Sequence, residues 1–345
     1  MSFRPSRLAG AVLAVALATG AAACSSGSSA QSAPLASKDT SHPQWAGYSF
    51  VIADNGGDGS QALAKITGAF QGAPYKVSFA RFDYGPPLVQ AAASGAVDLG
   101  FVGDVPPITG AAQEYGFKIV GVTQPLHPEV ADENIIVPKG SSIHSIADLR
   151  GKRIAVPQGS SAHGLVLGAL ESVGLKPSDV QIEFLSPAAA ASAFNSGKVD
   201  AWSIWNPQSA LAISNGARVV AAGLPPIDQT ADYYLASDKS LNDPVRRAAL
   251  LDVFKRLARE FDWANKHPDQ FAQALVEEEG ISLADAKSVL PTQEHKFLPV
   301  TAADVAAEQK LSDEFLAAGQ ITKKVDVASI TDNLLPAGFD SSKTS

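Results

Sequence analysis

FDYGPPLVQAAASGAVDLGFVGDVPP, residues 82–107, reads as the end of a strand, a turn, a helix, a buried strand, a second turn and the start of another helix. Gly85 and Pro86 close the first strand. A proline in a first helical turn removes an N–H that has no partner there anyway. Leu88, Val89 and Ala91 to Ala93 make a face of small apolar residues, and Gly95 ends it. Val97, Leu99, Phe101 and Val102 form a short apolar run of the fully buried kind. Gly103 and Asp104 stand where that run ends, and Pro106 opens the next helix. In an open α/β sheet a ligand sits beyond the carboxyl ends of the strands, facing helix N-termini, so this is where the pattern places one.

The same alternation extends both ways. Strands are expected at 48–53 and 77–82, with a turn from Asp54 to Gly59 and Ser60 as N-cap of a helix to about Phe70. Further strands fall at 117–122 and 134–137. A second unit has strands at 153–156, 181–185, 199–204 and 217–221, with helices at about 162–173 and 187–195. Strands alternating with helices predict a largely parallel α/β sheet. Four helices close the chain. Asp243 caps one with Pro244 at its first position, and its apolar residues Leu250, Phe254, Leu257, Phe261 and Ala264 are three or four apart. Pro268 opens the next, and Ser282 with Asp285 and Thr301 with Asp304 resemble capping boxes. These helices read as structural, and no internal repeat is read.

The chain has 345 residues, 46% hydrophobic and 18% charged, ample for a buried core. A formal charge of −8 without a basic stripe excludes a nucleic-acid footprint. Arg4 and Arg7 precede an apolar run at 8–18 that is too short to span a bilayer. Ala21 to Ala23 then lead to Cys24, the only cysteine. This resembles a bacterial lipobox, with Ala21 where leucine is usual. Residues 1–23 are therefore expected to be a signal peptide and Cys24 a lipidated first residue, on the outer face of the membrane. Residues 24–45 are expected to be a flexible tether, because 25–40 are rich in Ser and Ala and bury too little to order themselves. Removal of the leader leaves 25 − 35 = −10. Six scattered histidines have no metal-ligand spacing, and no metal or cofactor is expected.

Two more stretches join the first: DLRGKRIAVPQGSSAHGLVLGALESVGL at 148–175 and VDAWSIWNPQSALA at 199–212. Together, over roughly residues 46–290, they resemble the substrate-binding proteins of ABC importers for aliphatic sulfonates, within the sulfonate, taurine and nitrate group. The resemblance implies a two-lobe periplasmic-binding-protein-like fold of type II with the ligand in the interlobe cleft. The first lobe is expected at 46–140 plus 228–345 and the second at 141–227. Residues 232–237 are expected to pair with 134–137 as the hinge. The implied function is an extracytoplasmic, monomeric binding lipoprotein. It hands a small anion, an organosulfonate or related oxyanion, to an ABC permease and ATPase, and touches the membrane only through its lipid.

The implied ligand residues are Gly85, Gly103, Asp104, Ser160, Ser161, His163, Trp202, Trp205 and Asn206. Gly159-Ser160-Ser161 at a helix start offers free N–H groups, hydroxyls and a positive dipole end, which suit a sulfonate; a plain N-cap is the better reading of the turn alone, and the family motif favours ligand contact. His163 either donates to ligand or packs against the strand. Strand alternation sends Trp202, Ile204 and Asn206 to one side and Ser203 and Trp205 to the other, so either tryptophan is pocket wall or core. Asn206 stands where the family usually has aspartate, which predicts less use of a cationic tail. Gly85 and Gly103 allow close backbone approach. Asp104 either meets a ligand amine or caps the helix at Pro106, the cap being preferred. Asp58 and Gln61 are weaker contacts. An enzyme is not expected. A sulfinate desulfinase or a pyrimidine-forming relative on this fold needs a reactive cysteine, and Cys24 precedes the fold. Ser160 and His163 lie within one turn and lack a third group. A sensory lipoprotein is the other alternative.

Overall fold

The structure, a computed structural model, describes residues 33–343 except 57, 229 and 230. The expected leader and Cys24 lie outside the described residues. Two runs of strand and helix follow one another. The first comprises β1 (Ser49–Asn55), α1 (Ser60–Thr67), β2 (Lys76–Phe82), α2 (Gly85–Ala93), β3 (Leu99–Val102), α3 (Val105–Ala112) and β4 (Phe117–Pro125). The second comprises β5 (Glu133–Val137), β6 (Arg153–Val156), α4 (Ser161–Ser172), β7 (Gln181–Phe184), α5 (Pro187–Asn195), β8 (Ala201–Trp205), α6 (Gln208–Ser214) and β9 (Arg218–Ala222). The chain then returns through β10 (Asp232–Ser237), α7 (Asp238–Leu241), α8 (Pro244–Asn265), α9 (Pro268–Glu279), α10 (Leu283–Gln293), β11 (His295–Leu298) and α11 (Ala302–Ala317).

These strands form two sheets, ordered β11-β4-β10-β3-β1-β2 and β7-β6-β8-β5-β9. Each has a parallel core, β2-β1-β3 or β7-β6-β8. Each also takes one antiparallel strand from a segment that has just crossed over, β10 in the first sheet and β5 in the second. The expected two-lobe α/β class is therefore what the chain adopts. The expected hinge pairing is not. β10 pairs with β3 and β4, and β5 pairs with β8 and β9. The reason is burial: Ile135, Ile136 and Val137 are wholly buried, so β5 needs cover on both faces and finds it only inside the second sheet. Residues 133–137 thus join the second sheet, not the first lobe.

Helices α8 and α9 bury Phe254, Leu257, Phe261, Phe271 and Leu275 against one face of the first sheet. On the other face Leu88, Val105, Ile108 and Phe315 pack with Val102 and Tyr233. No described helix is long and apolar enough to cross a membrane. The expected tether is partly docked. Leu35, Ser37 and Asp39 donate backbone N–H groups to Thr67, Gln71 and Gly72, and Trp45 is buried with His42 stacked on it at 3.8 Å.

An internal repeat, absent from the sequence reading, emerges here. Ser94-Gly95-Ala96-Val97-Asp98 and Ser196-Gly197-Lys198-Val199-Asp200 each leave a helix and enter the third parallel strand. Both glycines are left-handed, at φ 72° and 70°. Asp98 accepts the Val51 N–H at 2.7 Å and Asp200 the Arg153 N–H at 2.9 Å, so each clamps its strand to the first parallel strand of its sheet. Arginine closes both clamps: Arg246 reaches Asp98 at 2.6 Å, and Arg153 reaches Asp200 at 2.9 Å. The repeat was hidden because it is only five residues long, with four in agreement, and the arginines come from unrelated places.

The Asp98 and Arg246 side chains are 4% and 14% exposed, whereas those of Asp200 and Arg153 are 32% and 39% exposed. Asp98→Ala leaves a largely covered guanidinium without its carboxylate and is expected to cost about 3 kcal/mol. Asp200→Ala should cost only about 1 kcal/mol, because water screens that pair. Urea unfolding of both variants tests the difference; equal losses would show that burial does not set it.

Candidate functional site

The carboxyl ends of the parallel strands of both sheets face each other across one cleft. Gly103, after β3, and Ser161, which starts α4, meet at its centre. A Cβ on Gly103 would lie 2.8 Å from Ser161 Cβ, so only glycine allows this approach. Gly164 does the same one turn on, where a Cβ would lie 2.8 Å from a Val105 methyl. Asn206 Nδ2 donates to Thr292 Oγ1 across the cleft at 3.1 Å, and Gln293 Nε2 donates to Asp132 Oδ1 at 3.4 Å. The lobes are closed on each other.

Donors for an anion are concentrated on one side. The first N–H groups of α4 have no carbonyl one turn earlier. Its 12 residues point their positive end into the cleft. Helices α2 and α3 also begin here, but Pro86, Pro87, Pro106 and Pro107 strip N–H groups from their first turns. Ser160 is the N-cap of α4 without a side-chain cap bond; its hydroxyl donates to the Pro157 carbonyl at 2.8 Å. Ser161 is the neighbour whose hydroxyl faces the Glu133 carboxylate.

The rest of the wall is acidic. Asp58, Asp132 and Asp232 line the central cavity, and Asp104, Glu133 and Asp228 line the adjoining one that shares Asp132, Ser161 and Asp232. Among the described residues lining either, there is no lysine or arginine. Glu133 is 6% exposed and Asp104 7%; both Glu133 oxygens and Asp104 Oδ1 are buried without a hydrogen-bond partner. Burial pushes the Asp132 carboxyl up to about 7, with Asp228's charge adding to it. Burial and the Asp228 charge hold Asp104 and Glu133 well above the ordinary carboxylate range. Burial and then Asp132, Asp104 and Asp228 do the same to Asp232. His295 donates Nδ1–H to the Gln293 carbonyl at 2.9 Å, and burial lowers it to about 4. Its other nitrogen is thus a bare acceptor, 4.0 Å from Asp232. The site is short of positive charge. It asks for protons on its carboxylates or for a cation from the ligand.

Of the residues expected from sequence, Gly85, Gly103, Ser160, Ser161, Trp205 and Asn206 line the central cavity. Asp104 lies in the adjoining one, and its side chain makes no cap bond to α3, which overturns the preferred capping role. His163 does not reach the cavity. Its ring sits edge-on between Phe184 and Phe315, its Nδ1 accepts the Gly159 N–H at 3.4 Å, and burial lowers it to about 4. Trp202 is core, packed on Phe194. Sequence reading missed Asp132, Asp232, Thr292, Gln293 and His295. The last three follow Pro291 in helix α10 and open β11, a four-residue strand too short for its alternation to register.

Comparison with known proteins follows from this geometry. The NMT1/THI5-like family matches residues 77–271. An Escherichia coli K12 protein assigned to aliphatic sulfonate binding is 34% identical over 254 residues, 73% of this chain and 78% of that one. The alkanesulfonate-binding protein of Xanthomonas axonopodis pv. citri, solved with MOPS, superposes with a TM-score of 0.76 at 31% identity, covering 83% of this chain and 98% of that one. The periplasmic aliphatic sulphonate binding protein of Escherichia coli gives 0.73 at 31% identity, covering 84% and 95%. A desulfurization enzyme gives 0.60 at 16% identity, covering 83% and 96%, a likeness of fold alone.

The raised carboxyls make stability depend on pH with a definite sign. Their folded values exceed the unfolded ones, so the folded chain holds protons that the unfolded chain releases. That contribution is complete below the ordinary carboxylate range and is lost as pH rises through about 7 for Asp132. The ligand-free protein should therefore melt lower at about pH 8 than at about pH 5.5. Asp132→Asn keeps the shape and removes the charge, and should raise the melting temperature at about pH 8 by roughly 2–4 °C. Calorimetric melting at both pH values checks this. An unchanged or lower value for the variant at the higher pH contradicts it.

Proposed function

Since the chain belongs to the NMT1/THI5-like family and to the aliphatic sulfonate-binding proteins within it, we propose that it is the extracytoplasmic solute-binding component of an ABC importer. The ligand is a small organosulfonate held between the lobes. The single observation that carries this reading is the start of α4 pressed against Gly103, where free N–H groups of one lobe close on the other. A sulfonate stays ionised at any physiological pH, so neutral donors and a helix dipole suffice to hold it. Ser161 is its side-chain donor, because the Ser160 hydroxyl is committed to Pro157.

The tail end differs from the expectation drawn from Asn206. The amide does replace a carboxylate there, but Asp132 and Asp232 supply carboxylates to the same cavity. The preferred ligand therefore carries a cationic nitrogen, with its sulfonate toward Ser161 and its nitrogen toward Asp132 and Asp232. Hinge closure follows, since a ligand that touches both lobes stabilises the closed state. The closed form, a monomer, is what the permease receives.

An enzymatic reading has little support. Ser160 donates to a carbonyl rather than to His163, and the His163 nitrogen that would accept is taken by the Gly159 N–H. This serine–histidine pair is therefore not set up for nucleophilic attack.

Titration calorimetry with an aminoalkyl sulfonate and the matching plain alkyl sulfonate tests the ligand. The zwitterion is expected to bind roughly 10-fold tighter or better, and Ser161→Ala to lose roughly 10- to 100-fold for both. Ser160→Ala should change little, and Gly103→Ala should weaken both ligands by wedging the lobes apart. Equal affinity for the two sulfonates removes the cationic tail from the proposal; no affinity for either removes the sulfonate.

Anchoring is the other part of the proposal. Cys24 carries lipid on the outer face of the membrane, and the chain downstream leaves the domain within reach of its permease. Metabolic labelling with a fatty acid should mark the wild type, and Cys24→Ser should abolish the label and release the protein. An unlabelled wild type excludes the anchor.

A further inference from the structure

A second acidic group lies behind the cleft wall, and the proposed solute does not account for it. Asp54 is the last residue but one of β1 and alternates with Phe50 and Ile52, so it faces helices α8 and α9. It is fully buried, and neither of its carboxylate oxygens has a hydrogen-bond partner. One oxygen each from Asp54, Asp58 and Glu278 lies within 4.8 Å of the other two. Asp58 is buried and accepts the Ser60 N–H at 2.8 Å. Glu278, on the last turn of α9, accepts the Ala62 N–H at 2.9 Å through Oε2, while its Oε1 is buried without a partner. Glu260 of α8 is fully buried nearby, within the field of Asp58, with both oxygens unpartnered.

The positive charge beside this group is already committed. Arg81 grips both oxygens of Glu279 at 2.6 and 2.8 Å and donates to the Glu278 carbonyl at 2.9 Å. Carboxylates that share a dry space without a counter-charge are costly, and a bound cation is what offsets several at once. The donor set is oxygen only, which excludes the nitrogen and sulfur preferences of zinc and copper. Oxygens within 4.8 Å of one another are close enough to share one ion, since two on opposite sides of a calcium ion, each about 2.4 Å from it, are about that far apart. Calcium accepts an irregular oxygen set, whereas magnesium demands near-octahedral geometry.

We propose that Asp54, Asp58 and Glu278 bind one divalent cation of the calcium type. The ion ties the end of β1 and the start of α1 to α9. Because Asp58 also lines the cleft, the ion fixes that wall and withdraws one negative charge from it. Extracytoplasmic calcium reaches concentrations at which modest sites of this kind fill.

The test uses the full chain, stripped with EDTA, with CaCl2 and MgCl2 as probes and no sulfonate present. Calorimetry should show one calcium per chain, with magnesium much weaker, and about 1 mM CaCl2 should raise the melting temperature. Asp54→Asn and Glu278→Gln should each weaken calcium roughly tenfold or more. In EDTA, Asp54→Asn should melt no lower than wild type, since it removes an uncompensated charge without changing shape. Glu278→Gln, at a partly exposed position, serves if Asp54→Asn fails to fold. No calcium response from wild type at about 1 mM overturns the proposal, as does wild-type calcium affinity in the folded variants.

Discussion

A charge taken out of water needs a counter-charge or a proton, and this molecule meets that demand in different ways at different places. In the frame it is met by arginine. Asp98 and Asp200 each tie two strands together and each has a guanidinium against it. In the cleft, none of the described lining residues is a lysine or arginine, and Asp132, Asp232, Asp104 and Glu133 are all displaced toward their protonated forms by burial. Frame and site are thus distinguished by electrostatics. These two strand clamps are neutralised internally, while the site waits for protons or for a ligand.

Closure depends on the same economy of atoms. Gly103 and Gly164 let the two lobes touch through backbone, which brings the positive start of α4 into the cleft. The prolines that open α2 and α3 keep the opposite wall poor in donors. The result is a polarised cavity, with a helix start and its hydroxyls on the second lobe and carboxylates on both. The proposed zwitterionic ligand answers that polarity, because each of its ends finds a partner.

Much of the fold was legible in local pattern. The stretch from Phe82 to Pro107 contained a strand end, two proline-opened helix starts and a buried strand, and all of them formed. Asp243 with Pro244, and Thr301 with Asp304, capped helices as read. Within the site, Gly85, Gly103, Ser160, Ser161, Trp205 and Asn206 could be picked out because a strand end followed by a helix start has a signature in glycine, serine and proline. His163 and Trp202 were misjudged for one reason. Both sit beside true cavity residues in sequence, and which face of a helix or strand meets the cleft is decided by what packs behind it, here Phe184 and Phe315 for one and Phe194 for the other.

The sequence by itself determined the local elements, their alternation and so the α/β class, because periodicity, caps and turns act over a few residues. Only the tertiary structure decided where the crossing strands pair. β5 and β10 are both buried apolar segments, and their partners are chosen by which sheet has an open, covered edge. Only it brought Asp132, Asp232 and His295 to one cavity, and Asp54, Asp58 and Glu278 to another place behind it. Glu278 is 224 residues from Asp54, and no local rule links them. Charge is summed in space, so its balance at a site cannot be read until the chain has folded.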